Sequence, residues 1–299
     1  MRAAVVRSFG GPEAVEVVPV DVPEPDARQV RIKVAAATLN PVDAITREGV
    51  FGGEGGQTGL GWDVAGTVEA VGADAAWSVG DEVVALQPGM AKPVGTHAEY
   101  VVVDTDAVAA APATADAVAA STLPLNALTA AQALDLLELT PGRSLLVTGA
   151  AGAVGGFAVQ LAAHRGIEVT ALARQDDEEL VRSLGAAGFV AADSEPAADG
   201  SYDAVLDAAV LGEAALARVR DGGAYAGVIP PARPASVRGV RTTAVQVGAD
   251  GARLAELVRL VDEGVLTLRV AETFALDDAA KAHARLAEGG VRGRLVLVP

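Results

Sequence analysis

The chain has 299 residues, 51% of them hydrophobic, enough to bury a sizeable core and to form two domains of ordinary size. Thirty-nine acidic against 23 basic side chains give a formal net charge of −16, which repels phosphate backbones and anionic membrane faces and so excludes nucleic acid as a partner. The absence of cysteine excludes disulfides, iron–sulfur clusters and thiolate zinc sites.

The N-terminal "MRAAVVRSFGGPEAVEV" lacks the apolar core of a signal peptide, so a soluble cytoplasmic protein is expected. Residues 1 to about 115 alternate short β-rich runs ("AAVVRSF", "AVEVVPV", "QVRIKVAAA", "AGTVEAVG", "DEVVAL", "HAEYVVV") with Gly, Pro and Asp, the pattern of a small all-β barrel. The Ala-rich stretch from Ala107 to Leu134 is interrupted by Asp116, Pro124, Asn126 and Gln132, so no membrane span is predicted there. From about 117 to 248, helical and strand patterns alternate, as in a parallel sheet wrapped by helices. An amphipathic helix "ARLAELVRLVDEG", the segment 266–290 and a last strand "GRLVLVP" follow. The predicted fold class is α/β plus all-β: a barrel domain over 1–116, completed by 261–299, and a doubly wound parallel-sheet domain over 117–260.

In "LLVTGAAGAVGG" a strand runs into glycines at 149, 152 and 155 and then into a helix, the context in which a glycine pattern reads as a dinucleotide site. Read as G-x-G-x-x-G, the register is Ala150, Gly152, Gly155, with alanine in the first place. Gly152 lets the backbone approach a pyrophosphate, and the helix start at Ala153 and Val154 offers free N–H groups and partial positive charge. Gly149, Ala150, Gly152, Ala153, Val154 and, at the end of the strand "GAYAGV", Gly227 form the expected cofactor-binding set. The plainer reading is tight packing in an Ala/Gly-rich chain. The second strand ends "VTALARQDDEEL", with Arg174 where an acidic residue would hold a ribose 2′-OH; an arginine there suits a 2′-phosphate, hence NADPH, although a solvated arginine is the competing reading.

"LNPVDAITREGVF", "GWDVAGTVEAVG", "VGDEV", "GTHAEYVVV", "LPLNALTAAQAL", "GAAGAVGGFAVQLA" and "RGRLVLV", in that order, resemble the quinone oxidoreductase/zeta-crystallin branch of the medium-chain dehydrogenase/reductase superfamily. The resemblance implies a GroES-like domain followed by a Rossmann domain, an active site in the cleft between them, NADPH as hydride donor, and a homodimer. In the zinc-dependent members a cysteine stands where this chain has Asn40, and a "GHE" where it has "GWD". With Asn40, Trp62 and Asp63 in those places and His97, His164 and His283 far apart in sequence, no zinc is expected. Hydride transfer without a Lewis acid suits an already electrophilic acceptor, a quinone or an α,β-unsaturated carbonyl.

Four residues are the catalytic candidates. Asn40 has an amide that can donate to a carbonyl, or it caps a turn before Pro41. Asp43 lies in the first turn of a short helix, where the dipole favours a carboxylate. Trp62 either floors the pocket or sits in the core. Thr129 resembles the family threonine near the nicotinamide and belongs to the cofactor set too; a threonine at a buried helix start is the alternative. Family tyrosines are replaced by Ile45 and Phe51, which leaves the proton donor open, and His97 replaces an aromatic. An enoyl or enone reductase of a biosynthetic pathway, or a non-catalytic NADPH-binding sensor, are the rival functions.

Overall fold

The computed structural model describes residues 1–50, 56–193 and 200–299. It divides into two compact units: residues 1–125, 248–263 and 268–299 form the first, and residues 126–247 and 264–267 the second.

The first unit begins with β1 (Arg2–Val6), β2 (Val15–Pro19), β3 (Gln29–Leu39), α1 (Pro41–Arg47), β4 (Thr58–Gly59), β5 (Asp63–Val71), β6 (Glu82–Leu86), β7 (Tyr100–Asp104), β8 (Val108–Ala110) and α2 (Ala117–Ala120). In β3 the alternation Val30, Ile32, Val34 against Arg31 and Lys33 sends one set inward and one outward, which selects a half-buried strand. At eleven residues β3 is long enough to serve two partners at its start, pairing antiparallel with β7 over Gln29–Lys33 and with β5 over Val30–Ala36. Its inward residues pack with Val64, Val68, Val83, Val101 and Val108, each full burial being worth roughly 1.5–3 kcal/mol.

The second unit takes up α3 (Pro124–Leu137) from Asn126 and continues through β9 (Ser144–Thr148), α4 (Ala153–His164), β10 (Glu168–Ala173), α5 (Glu178–Ser183), β11 (Gly188–Ala191), β12 (Tyr202–Asp207), α6 (Glu213–Leu216), β13 (Val219–Gly227) and β14 (Arg241–Ala244). These six strands are all parallel, in the order β11-β10-β9-β12-β13-β14. Counted from β9, that is 3-2-1-4-5-6, the dinucleotide-binding arrangement whose order reverses between β9 and β12.

The chain then returns to the first unit with α7 (Gly251–Asp262), β15 (Val270–Ala275), α8 (Ala279–Glu288) and β16 (Arg294–Val298). β16 pairs with the end of β3, Leu297 opposite Ala37 and Leu295 opposite Leu39, and completes the sheet β15-β16-β3-β5-β6-β8. The division thus differs from the expected boundaries at 116/117 and 260/261. α2 packs on β3 and β5, and α7 packs on β8, where Gly251 approaches the Val108 carbonyl so closely that a Cβ would lie 2.5 Å from it. Among the described residues no helix is long and apolar enough to cross a membrane.

Candidate active site

In the first unit the sequence "LNPVD" turns from the end of β3 into α1. Pro41 presets the first helical φ, and Asp43, three residues after the N-cap Asn40, accepts the Asn40 backbone N–H through Oδ2 at 2.8 Å. Its other oxygen accepts the Gly61 N–H, also at 2.8 Å, and so ties α1 to the chain entering β5. Asp43 is a fully buried connector.

The Asn40 side chain is engaged on both sides. Its amide nitrogen donates to Asp63 Oδ2 at 2.5 Å and to the Thr38 carbonyl at 3.3 Å, while Oδ1 accepts from Arg294 at 2.8 Å. An amide has two hydrogens, so both face protein acceptors. The expectation that Asn40 turns its N–H₂ toward an acceptor molecule is therefore met by a different arrangement, in which Asn40 joins β3, β5 and β16. The same Thr38 carbonyl receives the His97 Nε2–H at 3.1 Å; a carbonyl only accepts, which fixes the tautomer and gives His97 a bracing role.

Asp63, also fully buried, accepts from the Leu125 N–H at 2.5 Å as well as from Asn40. Burial pushes its carboxyl up to about 7, against the opposing pull of those two donors and of Arg294. Burial likewise lowers Arg294, whose guanidinium also donates to the Leu39 carbonyl. Trp62 is only 6% exposed, and Lys92 Nζ lies over its ring, 5.1 Å from the centroid. Arg294 and Lys92 are the functional candidates that sequence reasoning missed. Arg294 is 254 positions from the asparagine it holds, and nothing local marks Lys92.

In the second unit, β9 ends at Thr148 and the turn 149–152 leads into α4, with Gly152 as N-cap. Gly149 has φ +59°, where an L side chain is strained, and Gly155 lies so close to this turn that a Cβ would be 2.2 Å from the Gly149 carbonyl oxygen. Ala150 is buried, whereas Gly152 is exposed and Ala153 and Val154 half-buried, so the first turn of α4 presents bare backbone at its positive end. A cofactor pyrophosphate fits that cradle. Arg174 follows the end of β10, the strand beside β9; it is 60% exposed and only loosely paired with Asp177, at 3.7 Å.

Asp207, at the end of β12, is fully buried and saturated: Oδ1 accepts from Thr148 Oγ1 (2.6 Å) and the Leu211 N–H (3.1 Å), and Oδ2 from the Gly212 N–H and the Tyr225 hydroxyl, both at 2.8 Å. Through Thr148, which accepts the Ala209 N–H, it holds the loop after β12 beside Gly149. Gly227 ends β13, near the Tyr225 ring, and Thr129 is buried in α3. Phe51 lies outside the described residues, and Ile45 is half-buried in α1. Among the described residues no group of three or more His, Asp or Glu side chains is placed to hold a metal.

This sheet order and glycine turn are those of a dinucleotide-binding unit. Residues 26–113 match the alcohol dehydrogenase GroES-like domain and residues 184–297 the family described as zinc-binding dehydrogenase. The chain is 36% identical over 255 residues to an NADPH-dependent alkenal/one oxidoreductase of Arabidopsis thaliana, covering 81% of this chain and 66% of that protein. It is 29% identical to a quinone oxidoreductase of Pseudomonas aeruginosa over 98% of both chains. The quinone oxidoreductase structure from Coxiella burnetii superposes with a TM-score of 0.90 at 29% identity, covering 100% of this chain and 99% of that one. The protein belongs to the medium-chain dehydrogenase/reductase superfamily, in its quinone oxidoreductase branch, a family of nicotinamide-dependent oxidoreductases.

Proposed function

We propose that the protein is an NADPH-dependent reductase that delivers hydride to a quinone or to an α,β-unsaturated carbonyl. The observation that carries this reading is the Gly/Ala-only turn 149–152 at the head of α4, with Arg174 at the end of the neighbouring strand. The acceptor class follows from the names of the quinone and alkenal/one oxidoreductases to which the chain is similar. When bound, the cofactor supplies the hydride. The chain's own residues do the rest: the N–H groups of Ala153 and Val154 receive the pyrophosphate, Arg174 pairs with the 2′-phosphate, and Thr129 and Gly227 line the nicotinamide end. Trp62, almost wholly covered and with Lys92 over its ring, forms the floor beneath the acceptor site. Asn40 and Asp43 act as positioning residues that fix the Trp62–Asp63 segment. We further propose a cytoplasmic homodimer that works without zinc; sedimentation and metal analysis of the purified protein check the dimer and the absence of zinc.

The test is cofactor preference in wild type and Arg174→Ala, together with NADPH oxidation against a panel of quinones and enones. A charge-assisted contact to phosphate is worth roughly 1.5–3 kcal/mol, so NADPH should bind at least about tenfold more tightly than NADH, and the substitution should erase most of that preference. Equal affinity for both cofactors in wild type would overturn the role of Arg174. A panel with no acceptor reduced would overturn the reductase itself.

A further inference from the structure

A hydride acceptor must also gain a proton, and most polar groups near Trp62 have none to give. Both Asn40 amide hydrogens and the His97 Nε2–H are bound to protein oxygens. Asp63 is buried with its oxygens engaged by the Asn40 amide and the Leu125 N–H, so a proton bound there stays within that network, and an isoleucine stands at position 45. In the second unit, the Tyr225 hydroxyl donates to Asp207, and burial together with that carboxylate drives its pKa upward. Lys92 differs. Its ammonium has three hydrogens; Gln87 O takes one at 2.7 Å, the Trp62 ring lies beneath the group, and among the described residues no other acceptor holds it. The residue as a whole is half-buried, more open than the ring below it, which is almost wholly covered.

We propose that Lys92 is the proton donor to the acceptor oxygen, an assignment that rests on the reductase reading above. As hydride reaches the acceptor, its conjugated carbonyl takes an electron pair onto oxygen. The Nζ–H bond breaks, an O–H bond forms, and the neutral amine regains its proton from solvent water. The acceptor is reduced by two electrons and the nicotinamide oxidised by two. The electrostatics suit the task. Burial lowers Lys92 to about 8, while the charges of Asp43 on α1 and Asp63 on β5 hold it from falling further; His97 on the segment before β7 is itself lowered by burial and by the Lys92 charge. A general acid serves best when its pKa lies near the working pH.

The experiment compares wild type, Lys92→Met and Lys92→Arg in a Trp77→Phe background, so that emission reports Trp62 alone. In the protein without cofactor, 4-nitrophenolate serves as an oxyanion probe. Wild type should show an emission titration near pH 8 and bind the probe at least about tenfold more tightly than Lys92→Met, with Lys92→Arg restoring binding. In turnover, Lys92→Arg should remain at least about tenfold slow and lose the alkaline limb of the rate profile, because arginine keeps its proton. Equal probe binding by Lys92→Met, or full turnover with an unchanged pH profile in both variants, overturns the assignment. If wild type reduces no acceptor yet Lys92 still governs probe binding, the reductase reading fails while the anion-facing lysine stands.

Discussion

Replacing Arg294 with methionine tests whether the network around Asn40 is a built unit or a coincidence of neighbours. The guanidinium donates to Asn40 Oδ1 and to the Leu39 carbonyl, and with Lys92 it is a cation that opposes the buried charges of Asp63 and Asp43. Each hydrogen bond from a charged donor is worth roughly 1.5–3 kcal/mol, and breaking one side of a buried charge pair costs about 3–5 kcal/mol. Because Asp63 already titrates at about 7, it relieves part of that cost by taking a proton, and a net loss of about 3 kcal/mol is expected. Both tryptophans, Trp62 and Trp77, belong to the first unit, so their fluorescence during urea unfolding reports on it. With a urea dependence of about 2 kcal/mol per molar, the midpoint should fall by about 1.5 M. Asp63→Asn should then cost less in the Arg294→Met background than in wild type, by about 0.5–3 kcal/mol of coupling. A midpoint shift below about 0.5 M, or strict additivity, would refute the network.

Gly155→Ala sets a methyl group 2.2 Å from the Gly149 carbonyl oxygen, so the head of α4 must move; NADPH affinity should drop at least about tenfold, while the tryptophan-monitored unfolding of the first unit stays unchanged. Stability of the first unit should fall as pH rises from about 4 to 7, because folded Asp63, raised from 3.8 to about 7, keeps a proton that the unfolded chain has lost. The slope attributable to that one carboxyl is at most about 1.4 kcal/mol per pH unit, and Asp63→Asn, measured by urea titrations across the range, should flatten it.

Much of the fold was legible because its signals are local. Alternating valines in "QVRIKV" define β3, and the Pro41 start of α1 follows from "NPVD", where cap, proline and carboxylate lie within four residues. The glycine turn was legible for the same reason, whereas the approach of Gly155 to the Gly149 carbonyl appears only in the structure. The unit boundaries were not. A hydrophobic stripe announces that 251–262 is a helix but does not say which sheet it covers, and the choice was made by a glycine that meets the β8 backbone.

The candidate site was half legible, and the division has a physical cause. Sequence pattern brings Asn40 and Asp43 together because they are one helical turn apart, whereas Asp63 and Arg294 reach Asn40 only after β5 and β16 have paired on either side of β3. Until those registers form, an asparagine is simply an amide with two donors to give, which is why a role facing the acceptor was expected of it. Once they form, its hydrogens are drawn to Asp63 and Thr38, because an unmatched buried carboxylate would cost more than any solvent-facing alternative returns. The donor capacity then passes to Lys92, the cation beside the same ring with hydrogens still uncommitted among the described residues. In this chain, therefore, Asn40, Asp63 and Arg294 form one polar joint, and the chemistry proposed for the first unit rests on a lysine that no local motif announces.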